Sequence, residues 1–359
     1  MSTGGSAATD RIPPRKLTGI EAGRGIAATL VLLYHAARYL DNAAGAPLLR
    51  GVFAFGHAGV DFFFVISGFI ILFVHYDDVG DPTRLGRYAG RRFTRLMPTY
   101  WVALALTVAM HAAGHQGAPS LANLALSASL LPSNHEMVLD IAWTLRFEAL
   151  FYALFCVLIV SRTAGLLVLA VWLSATVLAA VTGVDAGWVP VAFYGVYNLE
   201  FFLGMTAAYV LRNFTVPRPR LVLATGLALF IAVAVLEDFH LLDGYGNLAR
   251  LAYGIPGAIV VLGLAEADRR NLLRVPAILR TIGAASYSIY LFQFIFIATT
   301  WQVLRVTGLD HRIPVGAAFI VLALAVLVGG MIMSRCVEHP LMRLVRSRRG
   351  AIRLRPTSG

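Results

Sequence analysis

The apolar stretches of this chain carry a few ionisable side chains, and their spacing limits the chemistry available. The stretch 19–40 holds Glu21, Arg24 and His35. Arg24 and His35 are 11 residues apart, which on a helix is three turns and about 16 Å, so both face one side. An imidazole that is neutral near pH 7 can take a proton from a hydroxyl. In the stretch 51–76, His57 and Asp61 are four apart and share a helix face. A carboxylate beside an imidazole orients it and raises its basicity. Asp61 has a plainer reading as half of a structural ion pair, with Arg146 as partner. Arg24 likewise reads as a cation reaching the interface, and Ser67 and its neighbouring glycines as close helix packing. Arg92 and Arg95 are three apart and face together just ahead of an apolar run. They suit a phosphate-rich ligand, lipid headgroups or a simple charge anchor. Glu148 and Glu200 complete the set of acids within apolar stretches. The histidines at 75, 111, 115, 135, 240, 311 and 339 fall at stretch ends or in loops and receive no role. No spacing fits a metal site, a phosphate loop or a dinucleotide fingerprint. Cys156 and Cys336 are too few for a disulfide framework or a metal cluster.

The elements that must position these groups are membrane helices. The 359 residues are 58% hydrophobic and 14% charged, against roughly 25% charged in a soluble domain. So few charges cannot cover a water-facing surface, which excludes a disordered chain and a plain cytosolic enzyme. Ten segments reach the roughly 17–25 residues a crossing helix needs: 19–40, 51–76, 97–113, 143–161, 163–183, 196–211, 221–239, 251–267, 280–303 and 314–335. No period of two recurs, so the expected fold is an all-α bundle of about ten transmembrane helices rather than a barrel. With both termini cytoplasmic, 23 of the 30 basic residues fall on the inner side and 5 on the outer, Arg250 among the latter. The net charge of +11 is therefore read as topology and not as nucleic-acid binding. Residues 1–16 are expected to be a disordered cytoplasmic tail, 17–340 the membrane domain and 341–359 a basic cytoplasmic tail. An apolar run at 121–131 is too short to cross and is expected to lie on the surface or re-enter. In this frame His35, Asp61, Glu148 and Glu200 are expected to converge in the outer half, while Arg24, Arg92 and Arg95 mark the inner face. Asp61 is placed about 15 Å from the outer end of its helix.

Six motifs in order complete the picture. They are Arg-x10-His (Arg24, His35), Gly-Val-Asp-x-Phe-Phe-x-x-Ser-Gly-Phe at 59–69, and Arg-x-x-Arg before Pro (Arg92, Arg95, Pro98). Then follow Trp-Thr-Leu-x-x-Glu at 143–148, Tyr-Ser-Ile-Tyr-Leu at 287–291, and Glu-x-Pro (Glu338, Pro340). In these the chain resembles the acyltransferase family 3 membrane proteins over nearly its whole length, and most closely the bacterial branch that O-acetylates exopolysaccharides. The resemblance implies an enzyme of the bacterial inner membrane that moves an acyl group, most often acetyl, from cytoplasmic acetyl-CoA to a sugar hydroxyl on the outer side. It implies Arg24, Arg92, Arg95 and Ser67 for the coenzyme, and His35, Asp61 and Glu148 for catalysis. His35 would act as general base or acyl carrier, Asp61 would orient it and Glu148 would position the sugar. His57, Glu200, Tyr287 and Gln293 would contact the acceptor. The implied partners are acyl-CoA, a lipid-linked or nascent polysaccharide and membrane lipid, with no metal. Two positions depart from the pattern: Gln293 stands where His is frequent, and Thr144 where Ser is common. A transporter or flippase for a lipid-linked sugar or small anion is the rival reading, since intramembrane Asp, Glu and His also suit a proton relay. A scaffold in a polysaccharide-synthesis complex would need none of these charges.

Overall fold

The computed structural model describes residues 17–114, 119–183 and 187–345. The expected tail 1–16 and residues 346–359 lie outside the described residues. The remainder of the expected basic tail, 341–345, continues the last long helix. Lipid offers no partner to a backbone N–H or C=O, so an apolar chain must satisfy them within helices. Among the described residues every regular element is helical. In order they are α1 (Thr18–Ala44), α2 (Pro47–Val52), α3 (Gly59–His75), α4 (Leu85–Ala113), α5 (Leu121–Ser129), α6 (Trp143–Val160) and α7 (Arg162–Thr182). Then come α8 (Asn198–Asn213), α9 (Pro219–Asp238), α10 (Asn247–Arg269), α11 (Ala277–Ala284), α12 (Ser286–Val306) and α13 (Val315–Met333).

Each of the ten expected crossing segments coincides with a long helix: α1, α3, α4, α6 to α10, α12 and α13. Eight of these are long and apolar enough to cross a membrane. The other two are α1, which carries Glu21, Arg24, Arg38 and Asp41, and α8, whose 16 residues make about 24 Å. Both are packed within the bundle, against α3 and α10.

The boundaries differ from expectation in three places that matter for the site. A turn of 3-10 helix (Ala54–Ala58) precedes α3, so Asp61 sits in the first turn of α3 rather than deep within a longer helix. The arginines at 87–95 belong to α4 itself and not to a loop before it. The ninth segment breaks at Ala285, which places Tyr287 at the start of α12. Leu121–Ser129 is a nine-residue helix, too short to cross.

The core is organised on α1 and α3. At the crossing of α3 and α8, a Cβ on Gly68 would overlap the Phe201 carbonyl, and one on Gly204 would overlap the Val65 carbonyl. The two backbones therefore touch, the arrangement that small residues permit between membrane helices. Hairpins of α6 with α7, α9 with α10 and α12 with α13 close around this pair. α4 packs against α6 and α12. The space left between α1, α3, α4, α6 and α12 holds the site.

Candidate active site

A cavity of about 100 Å³ lies in this gap. Arg24 reaches it from α1, Ser67 from α3, Arg92 and Arg95 from α4, Glu148 and Tyr152 from α6, and Tyr287 and Tyr290 from α12. Arg92 and Arg95 share a face because they stand three apart on one helix. Each is held from behind. Arg95 donates to Glu338, and its guanidinium lies 5.1 Å from the centre of the Tyr287 ring. Glu338 is fully buried and also accepts from Ser288 and Ser334, at 2.6 and 3.2 Å. It sits in a turn of π-helix (Ser334–Glu338) that closes α13, a distortion that recurs at functional positions. Arg92 approaches His75 Nε2 at 3.4 Å, and Asp78 anchors the other ring nitrogen at 2.8 Å. The Tyr88 and Tyr152 rings flank the Arg92 guanidinium at 5.9 and 5.7 Å. Arg24 has no hydrogen-bonding or ion-pair partner among the described residues and faces the cavity as a free cation. Glu148 Oε1 accepts from Ser67 at 3.1 Å and from Tyr152, which leaves Oε2 open. Three guanidiniums against Glu148 and Glu338 make the chamber net cationic, the chemistry of a phosphate-bearing ligand.

A second polar cluster lies toward the other end of the bundle. Arg250 Nη1, on α10, donates to Asp61 Oδ2 at 2.7 Å and to the Tyr197 hydroxyl at 3.2 Å. Its other amino nitrogen donates to the Gly244 carbonyl and faces His57 Nδ1 at 3.5 Å. An arginine can only donate, so Nδ1 accepts and the imidazole proton sits on Nε2. That proton goes to Glu237 Oε1 at 2.8 Å, and Tyr253 donates to Glu237 Oε2 at 2.6 Å. Glu200, fully buried on α8, lies against Asp61. His57 and Asp61 do share a face, as their spacing requires, and both turn to Arg250.

His35 stands between the two clusters. Its ring meets the edges of Tyr34 and Phe294 at 4.9 and 4.6 Å. Phe294 is one helical turn beyond Tyr290, which lines the cavity. His35 is half-buried and makes no hydrogen bond with any described residue, so both nitrogens are available to a ligand.

The structure thus regroups the expected site residues. Arg24, Ser67, Arg92 and Arg95, expected at the coenzyme, line one cavity, and Tyr287, expected at the acceptor, lines the same cavity. Glu148 joins them instead of His35 and Asp61, because α6 places it opposite Ser67 on α3. Asp61 does not orient His35, since Arg250 takes its carboxylate. Arg146 is not the partner of Asp61 either; it holds the Ser133 and His135 carbonyls at 3.0 and 2.6 Å. Gln293 is buried outside the cavity and donates to the Tyr290 carbonyl at 2.9 Å, a packing role. Arg250, assigned to an outer loop on sequence, is 3% exposed in the first turn of α10. Glu237, His75 and Tyr152 were also passed over. Tyr152 was within reach of the sequence, four residues from Glu148 on one helix. Glu237 and Arg250 sit at the edges of apolar runs, where charge ordinarily means solvent.

The acyltransferase domain family model matches residues 17–335. The chain is 32% identical over 315 residues to the exopolysaccharide production protein ExoZ of Rhizobium meliloti (strain 1021), covering 83% of this chain and 93% of that protein. No solved structure matches. With the family model spanning nearly all of the helical bundle and both arginine-lined helices of the cavity, the chain belongs to the membrane acyltransferase 3 family.

Proposed function

We propose that this membrane acyltransferase takes an acyl group, most often acetyl, from acyl-CoA at the cytoplasmic face and transfers it to a sugar hydroxyl of an exopolysaccharide or its lipid-linked precursor. The observation that carries the donor is the convergence of Arg24, Arg92 and Arg95 on one cavity, with Arg24 unpaired. These residues hold the coenzyme phosphates, and Glu148 Oε2 offers an acceptor to the pantetheine amides. The acyl end points past Tyr290 toward His35. The relative ExoZ is named for exopolysaccharide production, which supports a polysaccharide acceptor here. The inner membrane of a bacterium is the fitting location.

His35 serves the transfer as a proton carrier. The sugar oxygen attacks the thioester carbonyl, its proton passes to an imidazole nitrogen, the C–S bond breaks, and the proton goes on to the thiolate. A two-step route, in which the imidazole first accepts the acyl group, uses the same residue. The purified protein in lipid, incubated with acetyl-labelled acetyl-CoA and extracted lipid-linked oligosaccharide, should transfer label to sugar. Movement of unlabelled oligosaccharide across the bilayer with no label transferred would establish the transporter instead.

A further inference from the structure

The end of the bundle that the arginine distribution places outside carries an open cleft of about 690 Å³ between α1, α2 and the turn joining α9 to α10. None of the donor-cavity residues lines it. On α1, Tyr34 and Arg38 face the cleft and flank His35, whose ring meets that of Tyr34 at 4.9 Å. Tyr245 is 61% exposed and stacks one face on His57 at 4.8 Å, which turns the other face outward. An exposed aromatic face next to polar planar groups is the usual seat of a sugar ring, whose C–H side is apolar and whose edge is hydroxylated.

The charges narrow the class of sugar. Arg38 already donates to the hydroxyls of Tyr34 and Tyr245. The other lining cation, Arg50, is paired with Asp41 at 3.0 Å. The carboxylates are less committed. Asp238 is exposed beside His240 and makes no hydrogen bond or ion pair among the described residues, and Asp243 spends only Oδ1, on the Tyr245 N–H at 3.0 Å. With Asp238 and Asp243 uncommitted against one guanidinium bonded only to neutral hydroxyls, the unspent capacity of the cleft is mainly accepting and negative. Sugar hydroxyls donate into it, whereas a uronate would meet Asp238 and Asp243 against the single guanidinium, Arg38, that no carboxylate answers.

We propose that this cleft is the acceptor subsite and that it selects a neutral saccharide segment over one bearing uronates. The proposal rests on the acyltransferase reading for its meaning, but binding can be measured without turnover. Cellotetraose and its C6-oxidised tetraglucuronate counterpart are titrated calorimetrically into the purified protein in nanodiscs with no donor present. Cellotetraose should bind, and the tetraglucuronate should bind about tenfold or more weakly. Tyr245→Ala and Asp243→Asn should each weaken cellotetraose by about tenfold, and Asp243→Asn should also narrow the gap between the two ligands. Both positions are exposed, so folding is expected to survive, and Tyr245→Phe should keep most of the stacking. Absence of cellotetraose binding, equal or tighter binding of the uronate, or binding untouched by both substitutions would overturn the proposal. If no label moves from acetyl-CoA to sugar while cellotetraose binding still depends on Tyr245 and Asp243, the donor chemistry falls and the saccharide cleft stands. If label moves but neither substitution changes binding or the acceptor KM, the cleft falls and the reaction stands.

Discussion

Arg24 and Arg95 face the same cavity in different electrostatic situations. Arg24 is unpaired, whereas Arg95 neutralises the fully buried Glu338. Arg24→Ala should weaken coenzyme A binding by about tenfold or more while the melting temperature holds, because only ligand hydrogen bonds are lost. Arg24→Lys should recover part of this, since an ammonium cannot bind phosphate in the bidentate way. Arg95→Ala should weaken binding and also lower the melting temperature, because it strands a buried carboxylate; removing one partner of such a pair costs about 3–5 kcal/mol. Calorimetry with coenzyme A and a thermal melt separate the two cases, and equal stability losses would refute the distinction. His35, with both nitrogens unengaged, presents the opposite profile. His35→Ala should reduce sugar acylation about 10²–10⁴-fold with coenzyme A affinity intact. Retention of more than about a tenth of the wild-type rate would make His35 a packing residue. For Asp61 the structure changes what is expected of a substitution. Its carboxylate compensates Arg250 within the bundle, so Asp61→Asn should cost stability first, on the order of 3–5 kcal/mol. Pairing it with Arg250→Gln should restore much of that loss in a thermal melt. A catalytic base would show no such rescue.

The precision of both clusters comes from how closely helices approach. α3 carries Asp61 and Ser67 on the segment that meets α8, and α8 brings Glu200 against Asp61 from the same contact. Gly204 lies where the two backbones touch. Gly204→Leu should therefore separate α3 from α8 and destabilise the protein by about 1–3 kcal/mol or more. Gly316→Leu on α13 has nothing within 4 Å of its added carbon and should leave stability at or above wild type. Equal melting temperatures for the two variants in detergent would show that the contact at Gly204 has slack. At the end of α13 the turn of π-helix does comparable work. It places Glu338 among Ser288, Ser334 and Arg95, so that the end of one helix sets the direction of a cation on another.

At the scale of the molecule, α1 links the features from end to end. Arg24 enters the arginine-lined cavity, His35 follows three turns later, and Tyr34 and Arg38 open onto the cleft between α1, α2 and the α9–α10 turn. This layout gives the reaction a direction only if the bundle is oriented as its arginines suggest. Reporter fusions made after Gly80, in the connection of α3 to α4, and after Gly308, in that of α12 to α13, check the orientation. The first should report a cytoplasmic location and the second an external one. The reverse pattern would place the arginine cavity nearer the outside and remove acyl-CoA as donor.

The ten long helices were legible in the sequence because an apolar run of about 20 residues in lipid has to be a helix. The pairing of Arg92 with Arg95, and of His57 with Asp61, was legible for a similar reason. Spacings of three and four fix a shared face whatever the helix packs against. What surrounds those faces was decided by tertiary structure alone. Asp61 and Arg250 are 189 residues apart, and Arg95 and Glu338 are 243 apart. An apolar run says that a helix crosses, but its depth, rotation and neighbours follow from packing against other helices. That is why Glu148, judged by its distance from a helix end, was expected beside His35 and instead lies across from Ser67 among the arginines.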